Sequence, residues 1–144
     1  DWSLLEKHAD VHRFVSLLCA RRGLRDIEHE RQRTSIIAML RNAKKTWHGV
    51  KVNQPDWGDG SYSVAVNAEF QSEGMLVHFI LNAFWEPQEF ELPELASGTW
   101  QRWIDTSLDS AQDIVRWEEA PAVQGNTYRV GDRSVVMLFS RMSG

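Results

Sequence analysis

His8 and His12 lie four residues apart on one helical face, the spacing at which two imidazoles can hold a single metal ion. Cys19 projects toward nearly the same side, but at 1.5 Å of rise per residue it sits roughly 16 Å from His8 along the axis, too far for shared coordination. Without a His-Glu-x-x-His motif, these side chains read as packing residues, with Cys19 in the core and no metal. Serine-type hydrolysis has no Gly-x-Ser-x-Gly turn to work from, and no cysteine stands beside a convincing histidine. Glu86, Glu89 and Glu91 offer paired carboxylates, and the last two would share one face of a strand. Such spacing arises by chance among twenty acidic residues, and nothing around them predicts desolvation. No residue is therefore assigned to catalysis, and no cofactor is expected. Seven tryptophans remain, and flat exposed indoles are surfaces on which sugar rings stack. Trp100 and Trp103 read as core, and Trp47 and Trp57 as loop anchors. Trp85 and Trp117 are the candidate carbohydrate-binding residues.

The elements that must position these groups are set first by size and charge. With 144 residues, 42% apolar, the chain suits one domain or a small domain with an appendage. At that length roughly two-thirds of the unfolded surface can be buried without a disulfide or structural metal. Sixteen Lys and Arg against twenty Asp and Glu give a net charge of -4, the wrong sign for wrapping a phosphate backbone, so nucleic acid is not an expected partner. No apolar run approaches the roughly 20 residues of a bilayer crossing, and the first residues lack a signal-peptide layout. No membrane partner and a cytoplasmic location are the expectations. A chain that opens at Asp1 in mid-pattern is expected to be a piece of something longer.

Near residue 50 the composition changes from Arg-rich and helical to Val, Phe and Trp in alternation. Ser3 and Glu6 form a capping box, and Leu4, Val11, Val15 and Leu18 recur at helical spacing until Gly23 offers a stop, predicting a helix over 4–21. Leu5, Phe14 and Leu17 lie away from that stripe, so the apolar surface is wider than one small neighbour can cover. A second helix is predicted over 34–43, with solvated surface over 25–33. Residues 47–60, rich in Gly, Pro, Asn and Asp, read as a loop stapled to its neighbours by Trp47 and Trp57. Strands follow at 62–70, 75–82, 88–92, 100–105, 127–130 and 134–140, with a helical turn within 107–119. Short strands at close spacing predict an antiparallel β-sandwich. The Gly-x-Gly-x-x-Gly of a dinucleotide fold is absent.

The loop Trp47-His48-Gly49-Val50-Lys51 followed by Asn53-Gln54-Pro55-Asp56-Trp57 resembles the junction after the last barrel helix in isoamylase-type glycogen debranching enzymes of the alpha-amylase superfamily. Asn82-Ala83-Phe84-Trp85-Glu86-Pro87, Phe90-Glu91-Leu92-Pro93, Trp103-Ile104-Asp105-Thr106 and Val130 through Leu138 resemble strands of that family's C-terminal domain. Asp1-Trp2 is similar to its Asp-Trp after the eighth barrel strand, and Phe14-Val15 through Arg21-Arg22 to its final barrel helix. The resemblance implies that residues 1–46 are the helical end of a (β/α)8 barrel, 47–60 the junction and 61–144 a C-terminal antiparallel β-sandwich. It makes Trp47, His48, Asn53, Pro55, Asp56 and Trp57 junction residues and puts Asp1 and Trp2 near the barrel mouth. The implied partner is the upstream catalytic barrel of the same polypeptide, whose full form hydrolyses α-1,6 branch points. The family's catalytic motifs match no position here, so the chain by itself is expected to be inactive. The alternative is an α-glucan-binding module working through Trp85 and Trp117.

Overall fold

The computed structural model describes residues 2–32 and 36–142. Helices come first: α1 (Ser3–Lys7), α2 (Ala9–Gln32) and α3 (Ile36–Asn42). The expected capping box does not form, because Trp2 occupies the N-cap with helical dihedrals and no side-chain cap bond. Nor does Gly23 end the helix. One glycine costs about 1 kcal/mol against alanine, and the stretch beyond it is rich in Arg and Glu, which are good helix formers, so α2 runs on to Gln32 through residues read from the sequence only as solvated surface. Thr34, where the second helix was expected to start, lies outside the described residues.

Among the described residues seven strands follow, all paired antiparallel: β1 (Lys44–His48), β2 (Ser63–Phe70), β3 (Met75–Asn82), β4 (Gln88–Glu91), β5 (Gln101–Asp105), β6 (Thr127–Val130) and β7 (Ser134–Arg141). The six strands anticipated from alternation are present within a residue or so of their expected ends. β1 was not anticipated: Trp47 and His48, assigned to a loop, pair with Val66 and Ala65. The expected helical turn in 107–119 is reduced to turns, a bridge between Ile104 and Ile114 and one 3-10 turn at Trp117–Glu119. Strand order is β1-β2-β3-β7-β5 in the large sheet and β4-β6 in the small one, so the fold is a mainly β, two-sheet antiparallel structure preceded by helices.

Residues paired across strands point to the same side. His48, Ala65, Ile80 and Val136 thus share the inner face of the large sheet, together with Leu138. There they pack against Phe90, Leu92, Trp100 and Val130 in a core that closes the two sheets on each other. On the outer face, one end carries Phe70, Val77 and Phe139, covered by Trp103, Ile114 and Trp117 and by Phe14, Leu17 and Leu18 of α2. Arg13 clamps that helix down, pairing with Asp113 and donating to the Ile114 carbonyl at 3.0 Å. The other end of the outer face holds Trp47, Val64, Val66, Phe79, Leu81 and Val135, which join neither core. Leu4, Leu5, Val11 and Val15 on the helices are likewise exposed. Cys19, expected in the core, is exposed as well.

Candidate functional site

His48 ends β1 with its side chain on the inner face, only 2% exposed. Immediately after it the chain reverses so tightly that a Cβ on Gly49 would stand 2.3 Å from the Gln54 carbonyl oxygen, which only glycine avoids. Asn53 takes the left-handed conformation (φ 57°) and donates its N–H to His48 Nδ1 at 2.9 Å. Because Nδ1 accepts, the neutral ring carries its proton on Nε2. Asp56 Oδ1 accepts the Gly58 N–H at 2.9 Å in an Asx turn. Pro55 is half-buried. Trp47 and Trp57 meet edge to face at 5.5 Å, 46% and 66% exposed; they anchor the loop against each other and leave much of both rings in solvent.

Beside His48 lies His78 of β3, wholly buried, its ring 5.7 Å away and its Nδ1 on the Asn67 side chain. Burial pushes the His78 pKa down to about 3, with the neighbouring His48 adding to the effect, and burial lowers that of His48 too. Nε2 of each ring is buried without a partner. Both imidazoles are therefore held neutral, as wall material and not as proton carriers.

The corner after β3 is set by Asn82. Its Nδ2 donates to the Glu86 and Gly131 carbonyls at 3.2 and 2.8 Å, and its Oδ1 accepts the Phe84 N–H at 3.2 Å and the Ser63 hydroxyl at 3.0 Å. This locks the Phe84-Trp85 pair, whose rings lie 4.0 Å apart, with Tyr62 edge-on to Trp85 at 5.9 Å. Trp85 is 61% exposed. Between this aromatic corner and the junction loop opens a cleft of about 290 Å³, whose lining includes Tyr62, Phe84, Gln54, Asp56 and Gln88. A second, larger cleft of about 590 Å³ opens at the loop's other flank among His48, Asn53, Asn67, Glu91, Glu94 and Asn126.

Trp117 does not offer a sugar a face. Phe139 stacks on it at 3.5 Å and 15°, the Arg21 guanidinium covers the ring at 4.3 Å, and Trp103 closes its edge at 5.2 Å. Trp117, read from the sequence as a surface platform, is half-buried beneath these contacts. Trp2 is 86% exposed, and Asp1 lies outside the described residues. Glu86, Glu89 and Glu91 are exposed; Glu91 accepts the Val52 N–H at 3.1 Å and Glu89 accepts the Thr127 hydroxyl, so these two brace the junction loop and the small sheet. His8 and His12 are exposed, and among the described residues no three metal-ligating side chains converge.

One buried network escaped the sequence reading. Tyr128 donates its hydroxyl to Asp105 Oδ2 at 2.6 Å, while Asp105 Oδ1 receives the Ser107 N–H and hydroxyl at 3.0 and 2.6 Å. Burial, then the adjoining carboxylate, raises the Tyr128 pKa, so the phenol stays a donor. The Asp-x-Ser spacing of an Asx turn was the available signal; the partnership with Tyr128 requires the fold.

A family model described as Isoamylase 1-3, C-terminal, matches residues 46–138, from β1 into β7 and well over half of the chain. No curated protein matches the sequence. The matched span contains the junction, the Asn82 corner and both clefts; the helices lie before it.

Proposed function

The chain belongs to the isoamylase 1-3 C-terminal family, and from that premise we propose that it is the C-terminal domain of a debranching glycoside hydrolase. The upstream part of the same polypeptide would supply the catalytic barrel. In this reading the parent cleaves α-1,6-glucosidic branch linkages of glycogen or a related α-glucan by the retaining route, with a carboxylic acid and a carboxylate about 5 Å apart in the barrel. The present domain supplies no reacting group. The parent works in the cytoplasm on this reading.

The observation that carries the proposal is the half-bare outer face of the large sheet. Trp47 and Leu81 are 46% and 38% exposed beside half-buried Val64, Val66, Phe79 and Val135. The helices add Leu4, Leu5, Val11 and Val15, each at least 42% exposed. Apolar surface of this extent on a folded domain is the mark of a docking face, since each Å² removed from water is worth about 25 cal/mol. Residues 2–32 then serve as the barrel's last helical layer, held to the sandwich by Phe14, Leu17 and Arg13 on one side and turned toward the barrel on the other.

Two measurements test this. The chain incubated with branched α-glucan should release no new reducing ends, and turnover would overturn the non-catalytic assignment. The coding sequence upstream should encode a barrel with an acid Glu and a nucleophilic Asp; an unrelated upstream domain would overturn the parent activity.

A further inference from the structure

The cleft between the junction loop and the Asn82 corner has no part in barrel docking as proposed above, yet it is a built cavity. Part of the lining is aromatic: Tyr62, 49% exposed, and Phe84, with rings 6.2 Å apart, while the exposed Trp85 ring stands edge-on to Tyr62 at 5.9 Å, next to the lining residues. The same lining includes Gln54, Asp56 and Gln88. Lys51 is the single cation in the lining and Asp56 the single anion, so the formal charges cancel and the cavity has no net attraction for phosphate or for a metal ion. Amides and a carboxylate in one lining with tilted aromatic rings suit a ligand with an apolar ring face and a rim of hydroxyls.

The walls are also preformed. Gly49 against the Gln54 carbonyl fixes one side, and the four hydrogen bonds of Asn82 fix the other. Ser63 Oγ lies between the Asn82 and Gln88 side-chain amides; its single proton serves one at a time, which leaves Gln88 spare hydrogen-bonding capacity for a ligand. A site that needs no ordering on binding keeps more of its contact energy. Its volume of about 290 Å³ lies at the lower end of the usual ligand-pocket range, enough for a short stretch of sugar rings and too little for a wound glucan helix.

The geometry points to a non-catalytic saccharide subsite in this cleft, in which Tyr62 and Trp85 stack against glucosyl rings of an α-1,4-linked chain while Gln54 and Gln88 hold its hydroxyls. The choice of an α-glucan rests on the proposed function; the chemistry of a neutral polyhydroxylated ligand rests on the cleft alone.

The test is a ¹H–¹⁵N NMR titration of the 144-residue chain with maltoheptaose. Saturable shifts are expected at Lys51, Gln54, Tyr62, Phe84 and Gln88. Tyr62→Ala and Gln54→Ala should each weaken binding by about fivefold or more, the loss of one stacking or hydrogen-bonding contact, with the rest of the spectrum unchanged. Trp2→Ala, on an exposed ring outside the cleft, should bind as the parent does. Absence of saturation by about 10 mM, past the range of weak binding, would overturn the subsite. So would saturation that survives both cleft substitutions. Either failure would leave the docking proposal standing, because that proposal is judged on reducing ends and on the upstream sequence.

Discussion

Lowering the pH from 7 to 5 should destabilise this domain through His78. In the unfolded chain the imidazole takes up a proton near its ordinary value of 6.5; in the fold, burial and the adjacent His48 hold that uptake off until about 3. Between those values the unfolded state binds more protons than the native state, so stability is complete above about pH 7 and falls as the pH drops. The slope is about 1.4 kcal/mol per pH unit for one fully differential proton, and integration from 6.5 to 5 gives a loss of about 2 kcal/mol. His48, shifted the same way, steepens the fall. Urea unfolding of the parent and of His78→Gln at pH 7.5, 6.5, 5.5 and 5.0 measures the effect. Glutamine keeps a polar partner for Asn67 but cannot titrate, so the variant should start lower at pH 7.5 and then lose distinctly less as the pH falls. Parallel curves for the two proteins would refute the argument that a neutral, desolvated His78 is built into the core.

Three further outcomes are expected. Gly49→Ala places a methyl 2.3 Å from the Gln54 carbonyl oxygen and should cost about 2–3 kcal/mol, read as a drop in the thermal midpoint. Trp117→Ala removes the stack on Phe139 and the contact with Trp103 and should cost about 2–4 kcal/mol, whereas Trp85→Ala, at 61% exposure, should stay within about 1 kcal/mol. Amides of α1 and of the first half of α2 should exchange with deuterium faster than those of β3 and β7, since the helices are held by one face only. Equal protection in a proven monomer would argue against a missing partner for them.

Alternation made β2 and β3 legible almost to the residue, because one side of each strand is apolar throughout and a left-handed Gly74 closes the turn between them. β1 was hidden for a physical reason. Its five residues include two lysines and follow a helix, and its strand state comes from pairing with β2, not from a pattern of its own. The reach of α2 was hidden too: charged residues are strong helix formers, yet they look the same in a solvated loop. Of the candidate site residues, Trp85 was readable as exposed, while the covering of Trp117 was not readable, since Phe139 and Arg21 meet it only through long-range packing. From the sequence Tyr62 read as the start of a strand and Gln54 as part of the junction loop; that they share one cleft follows from the reversal at Gly49.

The place of β7 between β3 and β5 constrains the order in which the domain can assemble. The hairpins β1-β2 and β2-β3 join near neighbours and can form as soon as they leave the ribosome, but Met75 must wait for Arg141, and β5 for β7, before the large sheet is whole. Val136 and Leu138 then complete one core, while Phe139 completes the other. A nascent chain stalled at residue 130 would thus carry two open cores at once, a species for a chaperone to hold, and release of one late strand would close both.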